Sequence, residues 1–217
     1  MNKKVAVIHT FLNSVEDIKA LFAKHLPEVE LMNIIDDSLL AEALANGGVT
    51  AGARQRYLSY ALAAQSAGAD AILNQCSSYI ECADWAQQAL SIPIVKIDEP
   101  MAREANRLGK KIGVIVTAAS SLGPACRLVE RFGGPDTQVQ PCFVEGAYDA
   151  LLKQGDKERH NALVIAAAEK AAAENDVVVL AQGSMVKLLP LLAHLDKPVL
   201  TAMESGIRQL RGILQLD

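Results

Sequence analysis

The residues with the clearest chemical potential are grouped around Cys76. The thiol follows the apolar segment Asp70-Ala71-Ile72-Leu73-Asn74-Gln75 and is followed at once by Ser77 and Ser78. An aliphatic run that ends on polar residues and leads into a helical pattern places those residues at the carboxyl end of a strand, where the next helix presents unsatisfied N–H groups. A thiol there is readily lowered from its usual pKa of about 8.5 and can act as an acid–base or a nucleophile. Three further run ends carry a similar mix: His9-Thr10-Phe11, Thr117 with Ser120 and Ser121, and Gln182-Gly183-Ser184-Met185.

One Ser or Thr before a helix is an ordinary N-cap. Several hydroxyl-rich ends together, one of them bearing a thiol, read instead as a binding surface. Thr10, Ser77, Ser78, Thr117, Ser120, Ser121 and Gln182 are then the expected substrate ligands. Lys and Arg are absent from these ends, so the expected anion is a carboxylate held by neutral donors rather than a polyphosphate. No Gly-x-x-x-x-Gly-Lys-Ser/Thr occurs, and Gly47, Gly48 and Gly52 do not form a nucleotide-binding turn after a strand.

The remaining candidates read as structural. Cys82 falls inside the helix that follows Cys76, and Cys126 and Cys142 read as small buried hydrophobes. No Cys-x-x-Cys pair and no zinc-type His–Cys spacing occurs, so no metal site is expected. His9 reads as a strand-end structural residue, with contact to Cys76 the alternative; His25, His160 and His194 have no ligand spacing. Glu99, Glu145 and Glu204 lie near turns, and nothing in the spacing selects one as a general acid.

The elements that must position these groups alternate between short aliphatic runs and longer helical patterns. Strands are predicted at 5–8, 29–35, 70–75, 92–95, 111–116, 137–142, 176–181 and 198–200. Helices are predicted at 51–67, 79–90, 101–108, 121–132, 161–174, 186–193 (broken by Pro190) and 205–214. Pro93 marks the strand at 92–95 as short and near a sheet edge. Continuous Val/Ile/Leu strands alternating with helices predict an α/β fold whose parallel sheets are covered on both faces. One doubly wound sheet of all the strands, or a barrel, fits this alternation.

An internal echo favours two pseudo-symmetric lobes, each a four-stranded parallel sheet flanked by helices. The segment Ala-Gly-Ala-Asp-Ala-Ile-Leu-Asn-Gln-Cys-Ser before Ser78 is matched by Glu-Asn-Asp-Val-Val-Val-Leu-Ala-Gln-Gly-Ser ending at Ser184, and Ile-Pro-Ile-Val and Lys-Pro-Val-Leu follow at similar distances. The predicted lobes are 1–97 with 204–217, and 98–203, with the active site in the cleft between them.

Composition excludes several classes. The chain of 217 residues carries a formal charge of -4 with both signs mixed, so no nucleic acid or anionic membrane is expected as partner. Aromatics are 4%, too few for a base-stacking platform. The apolar run after Met1-Asn2-Lys3-Lys4 is too short for a signal-peptide core, and no run reaches membrane-span length. A cytoplasmic location with reduced thiols is the expectation.

The segments Asp-Ala-Ile-Leu-Asn-Gln-Cys-Ser-Ser and Val-Val-Val-Leu-Ala-Gln-Gly-Ser-Met, together with Gly-Val-Ile-Val-Thr-Ala-Ala-Ser-Ser, resemble the aspartate/glutamate/hydantoin racemase superfamily. The resemblance covers the whole chain in its order of elements. It implies paired lobes, a small carboxylate substrate, no pyridoxal phosphate or other cofactor, no metal, and a homodimer or higher oligomer. It further implies a pair of catalytic cysteines, the first falling on Cys76 and the second on Ser184, where this sequence departs from the pattern. A serine hydroxyl is a far weaker acid than a thiol and needs an adjacent base. The expected function is therefore a cofactor-independent isomerase or racemase acting alpha to a carboxylate with Cys76 as acid–base. A one-sided decarboxylase of a malonate-type acid, or a small-ligand binder without catalysis, is the alternative.

Overall fold

The computed structural model describes residues 3–216; Met1, Asn2 and Asp217, which the sequence reading places at the ends of the first lobe, lie outside the described residues. The aliphatic runs form parallel strands. In chain order the elements are β1 (Lys4–His9), α1 (Val15–His25), β2 (Glu30–Ile35), α2 (Ser38–Ala45), α3 (Ala51–Ser66), β3 (Ala71–Asn74), α4 (Ile80–Gln87) and β4 (Ile94–Lys96). Then come α5 (Glu99–Leu108), β5 (Lys111–Val116), α6 (Ala119–Arg131), β6 (Gln138–Phe143), α7 (Ala147–Leu152), α8 (Lys157–Glu174), β7 (Val177–Leu180), β8 (Val199–Thr201) and α9 (Met203–Leu214).

Two separate four-stranded sheets result, in the orders β2-β1-β3-β4 and β6-β5-β7-β8, with every pairing parallel. The single doubly wound sheet and the barrel are thereby excluded. The chain divides into two compact units, 1–97 with 203–217, and 98–202. The central strands are buried along almost their whole length, as strands covered by helices on both faces must be, whereas the outer strands β2 and β6 are largely accessible. Prolines respect this division. Pro93 and Pro198 immediately precede β4 and β8, and Pro141 lies in β6; all three of these strands are sheet edges, where a missing N–H spares the ladder.

Within the first unit Val5, Val7, Ile8, Ile72 and Leu73 of the strands and Ile18, Phe22 and Tyr57 of the helices are all buried. In the second, Ile115, Val178 and Leu180 pack with Val164, Ala168 and Ala171 of α8 and with Met185 and Leu188. The alanine-rich face of α8 comes close because β5 has Gly113 there: an added Cβ would lie 3.2 Å from the Ala171 Cβ.

Several elements differ from the sequence reading. Helices α1, α2 and α7 were not predicted. Helix α8 begins at Lys157 rather than at 161, because Asp156 caps it by accepting from the Arg159 N–H at 2.9 Å. The run Gly183–Leu192 is a 3-10 helix with Pro190 inside it, not an α-helix over 186–193.

Candidate active site

In the first unit, β3 ends at Asn74 and the backbone stays extended through Cys76 (φ −116°, ψ 119°) before turning into a 3-10 turn, Ser77–Tyr79, that runs into α4. Cys76 is 8% exposed, and Ser77 and Ser78 are buried beside it. Helix α3 supports this corner. The Tyr57 hydroxyl donates to Asn74 Oδ1 at 3.1 Å, and Asn74 Nδ2 donates to the Cys76 carbonyl at 3.1 Å. The Tyr79 hydroxyl donates to the Leu39 carbonyl at 2.9 Å, and the Tyr57 and Tyr79 rings stack with centroids 5.6 Å apart. Burial, and after it the negative charge the neighbouring thiols can carry, pushes both phenols upward, so they remain hydrogen-bond donors at neutral pH.

Strand β1 runs next to β3 with Ile8 opposite Asn74, so continuation of the register brings Thr10 alongside Cys76. The Thr10 hydroxyl is buried and has no hydrogen-bond partner among the described residues. His9 leans the other way. Its Nε2 lies 2.9 Å from Asn33 Oδ1 on β2, across β1 from β3, so the ring serves the β2 side rather than Cys76. Burial holds His9 below its usual pKa, the Asn33 bond partly opposing this and the Lys19 charge adding to it.

Burial pushes the Cys82 thiol up to about 12 and the Cys126 thiol up to about 11, and raises Cys142 as well. These three are protonated at neutral pH, as expected of packing residues. No described cysteine is in a disulfide.

Two charged groupings with no signature in residue spacing border this end of the first sheet. Asp36, just beyond β2, accepts from Ser38, from the Tyr60 hydroxyl at 2.8 Å and from Arg56 at 2.7 Å, while Arg56 also pairs with Glu42. Lys96 closes β4 and pairs with Asp84. A cation therefore does stand at a strand end here, but neutralised. Alternating position did not reveal it because the apolar stem of Lys96 packs as a buried residue.

The second unit repeats the geometry with different chemistry. Asp70 Oδ2 accepts from the Lys4 N–H at 2.8 Å, and Asp176 Oδ2 accepts from the Lys111 N–H at 2.9 Å. Val5 pairs with Ala71 as Ile112 pairs with Val177. The first residue of each turn is also matched: Tyr79 N–H donates to the Cys76 carbonyl, and Met185 N–H donates to the Gln182 carbonyl. In this register the counterpart of Cys76 is Gln182, Thr10 corresponds to Thr117, and Ser184 corresponds to Ser78. In this register Ser184, the residue expected at the second-cysteine position, lies two residues beyond the counterpart of Cys76. Aligning the two glutamines, Gln75 with Gln182, suggests the wrong register; the two strand-leading aspartates give the right one.

Thr117, Ser120 and Ser121 are buried at this strand end, with the two serines in the first turn of α6, whereas Ser184 is exposed. Gln182 is turned onto its own unit. Its Oε1 accepts from Thr117 N–H at 2.5 Å, from Thr117 Oγ1 at 2.8 Å and from Ala118 N–H at 3.3 Å. The structure thus assembles Thr10, Cys76, Ser77 and Ser78 in one unit and Thr117, Ser120, Ser121 and Gln182 in the other. Among the described residues no group of three or more His, Cys, Asp or Glu is placed to hold a metal ion, and no helix is long and apolar enough to cross a membrane.

Comparison with solved structures gives the same architecture. A glutamate racemase from Bacillus anthracis superposes with a TM-score of 0.74 at 17% identity over 98% of this chain and 82% of that one. An allantoin racemase from Klebsiella pneumoniae gives 0.66 at 19% identity over 99% of this chain and 88% of that one. A mutant arylmalonate decarboxylase in a sulfate-associated form gives 0.65 at 13% identity over 98% and 94%. At these identities the likeness is one of fold. No curated protein matches the sequence. The family pattern described as Asp/Glu/Hydantoin racemase matches residues 11–210, nearly the whole chain and, Thr10 apart, both strand-end clusters, and the protein belongs to that family.

Proposed function

We propose that the protein is a cofactor-independent enzyme that transfers a proton at the carbon alpha to the carboxylate of a small amino acid or related carboxylic acid, with Cys76 as the acid–base. The observation that carries this reading is the position of Cys76. Of the four cysteines it alone stands at the carboxyl end of a central strand, at the entry to a turn and helix, with two buried serines next to it. Such a place favours thiolate and supplies donors for a carboxylate.

In the forward step the thiolate takes the α-proton. The C–H bond breaks, its electron pair delocalises into the carboxylate as an enediolate, and the proton rests on sulfur. The return proton can come from the thiol, after exchange with solvent, which restores the starting configuration with solvent hydrogen at the α-carbon, or from a water on the opposite face, which inverts the configuration while the proton on sulfur neutralises the hydroxide formed. Ser184 takes no proton in this scheme.

The presence of Gln182 at the position equivalent to Cys76 favours a second reading, one-sided decarboxylation of a malonate-type acid, because an amide is neither acid nor base near neutral pH. There the C–C bond to the departing carboxylate breaks, carbon dioxide leaves, the electron pair stays as the enediolate, and Cys76 protonates it.

Incubation in deuterium oxide with a panel of amino acids, hydroxy acids and malonates, without added cofactor, tests both. Solvent deuterium at the α-carbon without loss of mass supports the first reading, and release of carbon dioxide with one deuterium gained supports the second. Cys76→Ala is expected to lower either rate by about 10²–10⁴-fold. Turnover that survives Cys76→Ala, or no exchange and no carbon dioxide from any acid of the panel, overturns the proposal.

A further inference from the structure

The two units carry one oxygen-binding device at equivalent places, filled in one and open in the other. In the second unit three donors converge on a single oxygen: Thr117 N–H, Thr117 Oγ1 and Ala118 N–H all point to Gln182 Oε1, at 2.5, 2.8 and 3.3 Å. Two of these partners are backbone N–H groups, which only donate, so the atom they surround is the amide oxygen and not its nitrogen. Successive N–H groups with a hydroxyl at a strand-to-helix corner are the geometry in which proteins hold carboxylate or phosphate oxygens. Here a side chain of the same unit holds that position.

The first unit has the same corner without such a side chain. By the register fixed at Lys4–Asp70 and Lys111–Asp176, Thr10 stands for Thr117, Phe11 for Ala118, and Cys76 for Gln182. The backbone at the two corners is alike: Phe11 and Ala118 are both extended, and each leads into a helical turn. Cys76 is shorter than Gln182 and bears no oxygen. The hydroxyl that would complete the set, Thr10 Oγ1, is 1% exposed and has no hydrogen-bond partner among the described residues. A buried hydroxyl without a partner costs about 1–3 kcal/mol, a cost that a bound oxygen removes.

We propose that the amide oxygen of Gln182 is a resident occupant of the second unit's anion socket, and that the socket left for a ligand carboxylate is the one at Thr10 and Phe11, beside Cys76. Gln182 is on this account a specificity-determining residue. It removes one of two equivalent carboxylate sites and ties the corner that opens α6. The inference rests on the proposed reaction only for the class of ligand, a small carboxylate, and its test reads binding rather than turnover.

The test is a titration of the isotope-labelled protein with sodium acetate, against sodium chloride at equal ionic strength, reading backbone amide shifts. In the wild type, Thr10 and Phe11 should shift and saturate while Thr117 and Ala118 do not. Thr10→Val, which keeps the shape and removes the hydroxyl, should weaken binding about tenfold, the size of a lost hydrogen bond to a charged group, and Thr10→Ser should restore it. Gln182→Ala should add a second saturable response at Thr117 and Ala118, whereas Gln182→Glu, which returns an oxygen to the socket, should not. Saturation at Thr117 and Ala118 in the wild type, no saturable response at Thr10, unchanged affinity in Thr10→Val, or no second site in Gln182→Ala would each overturn the proposal. Acetate binding at Thr10 with no deuterium exchange on any acid would leave the socket standing and remove the reaction; exchange that survives Thr10→Val would do the reverse.

Discussion

The side-chain amide of Asn74 donates to the backbone carbonyl of Cys76 at 3.1 Å, and its oxygen in turn accepts from the hydroxyl of Tyr57 at 3.1 Å. Asn74 and Tyr57 have no exposed surface. Helix α3 thus reaches through a strand end to fix the backbone that carries the thiol. Tyr57→Phe leaves the Asn74 oxygen without its donor and should cost about 1–3 kcal/mol of unfolding free energy. Asn74→Ala strips a partner from both the Tyr57 hydroxyl and the Cys76 carbonyl and leaves a cavity, so its cost should be larger, about 3 kcal/mol or more. Urea denaturation measures both. Among folded molecules, turnover should fall further in Asn74→Ala than in Tyr57→Phe; the opposite order would show that this relay does not set the position of Cys76.

Protonation of His9 should destabilise the fold. Burial lowers its pKa in the folded state from the ordinary 6.5. Below about pH 6.5 the unfolded chain therefore binds this proton before the native state does, and stability contributed above that pH is lost as the pH falls toward the folded value. The urea midpoint should drop between about pH 7.5 and about pH 5.5. In His9→Gln, which keeps a donor for Asn33 and cannot titrate there, that drop should be smaller. Identical pH profiles would remove His9 from the account.

Much of this architecture was legible in the sequence, for a physical reason. A strand buried on both faces must be aliphatic throughout, so Val5–Ile8, Ile112–Val116 and Val177–Leu180 stood out without homologues. Helices α2 and α7 did not, since eight and six residues are too few to display a helical period. Helix α1 does carry a signal, with Glu16 and Asp17 in its first turn and Val15, Ile18 and Phe22 on one buried face. The polar clusters could be placed at strand ends because each followed an aliphatic run. Which members face each other could not, because that depends on register: a text match of Gln75 with Gln182 conceals that Gln182 replaces Cys76 and that Ser184 matches Ser78. Asn74 and Tyr57 escaped notice because a buried Asn at a strand end has no spacing signal, only a partner in space.

Asp36 should carry a measurable share of acid stability. Burial alone would raise its pKa, but the hydrogen bonds from Ser38 and Tyr60 and the charge of Arg56 outweigh it, and the net shift is downward. A carboxylate lowered in the folded state stabilises above its unfolded pKa and loses that contribution as pH falls through the folded one. Asp36→Asn should therefore cost about 1–3 kcal/mol near neutral pH, the range for hydrogen bonds to a charged group. The difference from wild type should shrink as both are titrated below the ordinary value of 3.8. Thermal midpoints over an acid series read this directly. A gap between the two proteins that stayed constant down to the lowest pH would show that the network works through packing and not through charge.

Helix α9 returns to the first unit and gives a paired prediction of opposite sign. Gly206 is buried where the helix passes the end of β4: a Cβ there would overlap the carbonyl oxygen of Ile97 and lie 2.8 Å from its Cα. Beside it Gln209 Nε2 donates to the Lys96 carbonyl at 3.0 Å. Beside the Ile97 side chain the overlapping atoms are its backbone oxygen and Cα, which yield little, so Gly206→Ala should cost at least the 1–3 kcal/mol typical of overpacking despite the better helix propensity of alanine, about 1 kcal/mol. Gly212 lies on the same helix, exposed and with nothing within 4 Å of an added Cβ. There only propensity acts, and Gly212→Ala should stabilise by about 0.5–1 kcal/mol. Chemical denaturation of the two variants compares them on one scale. If both shift the midpoint in the same direction, the close approach of α9 to Ile97 is not what limits residue size at position 206.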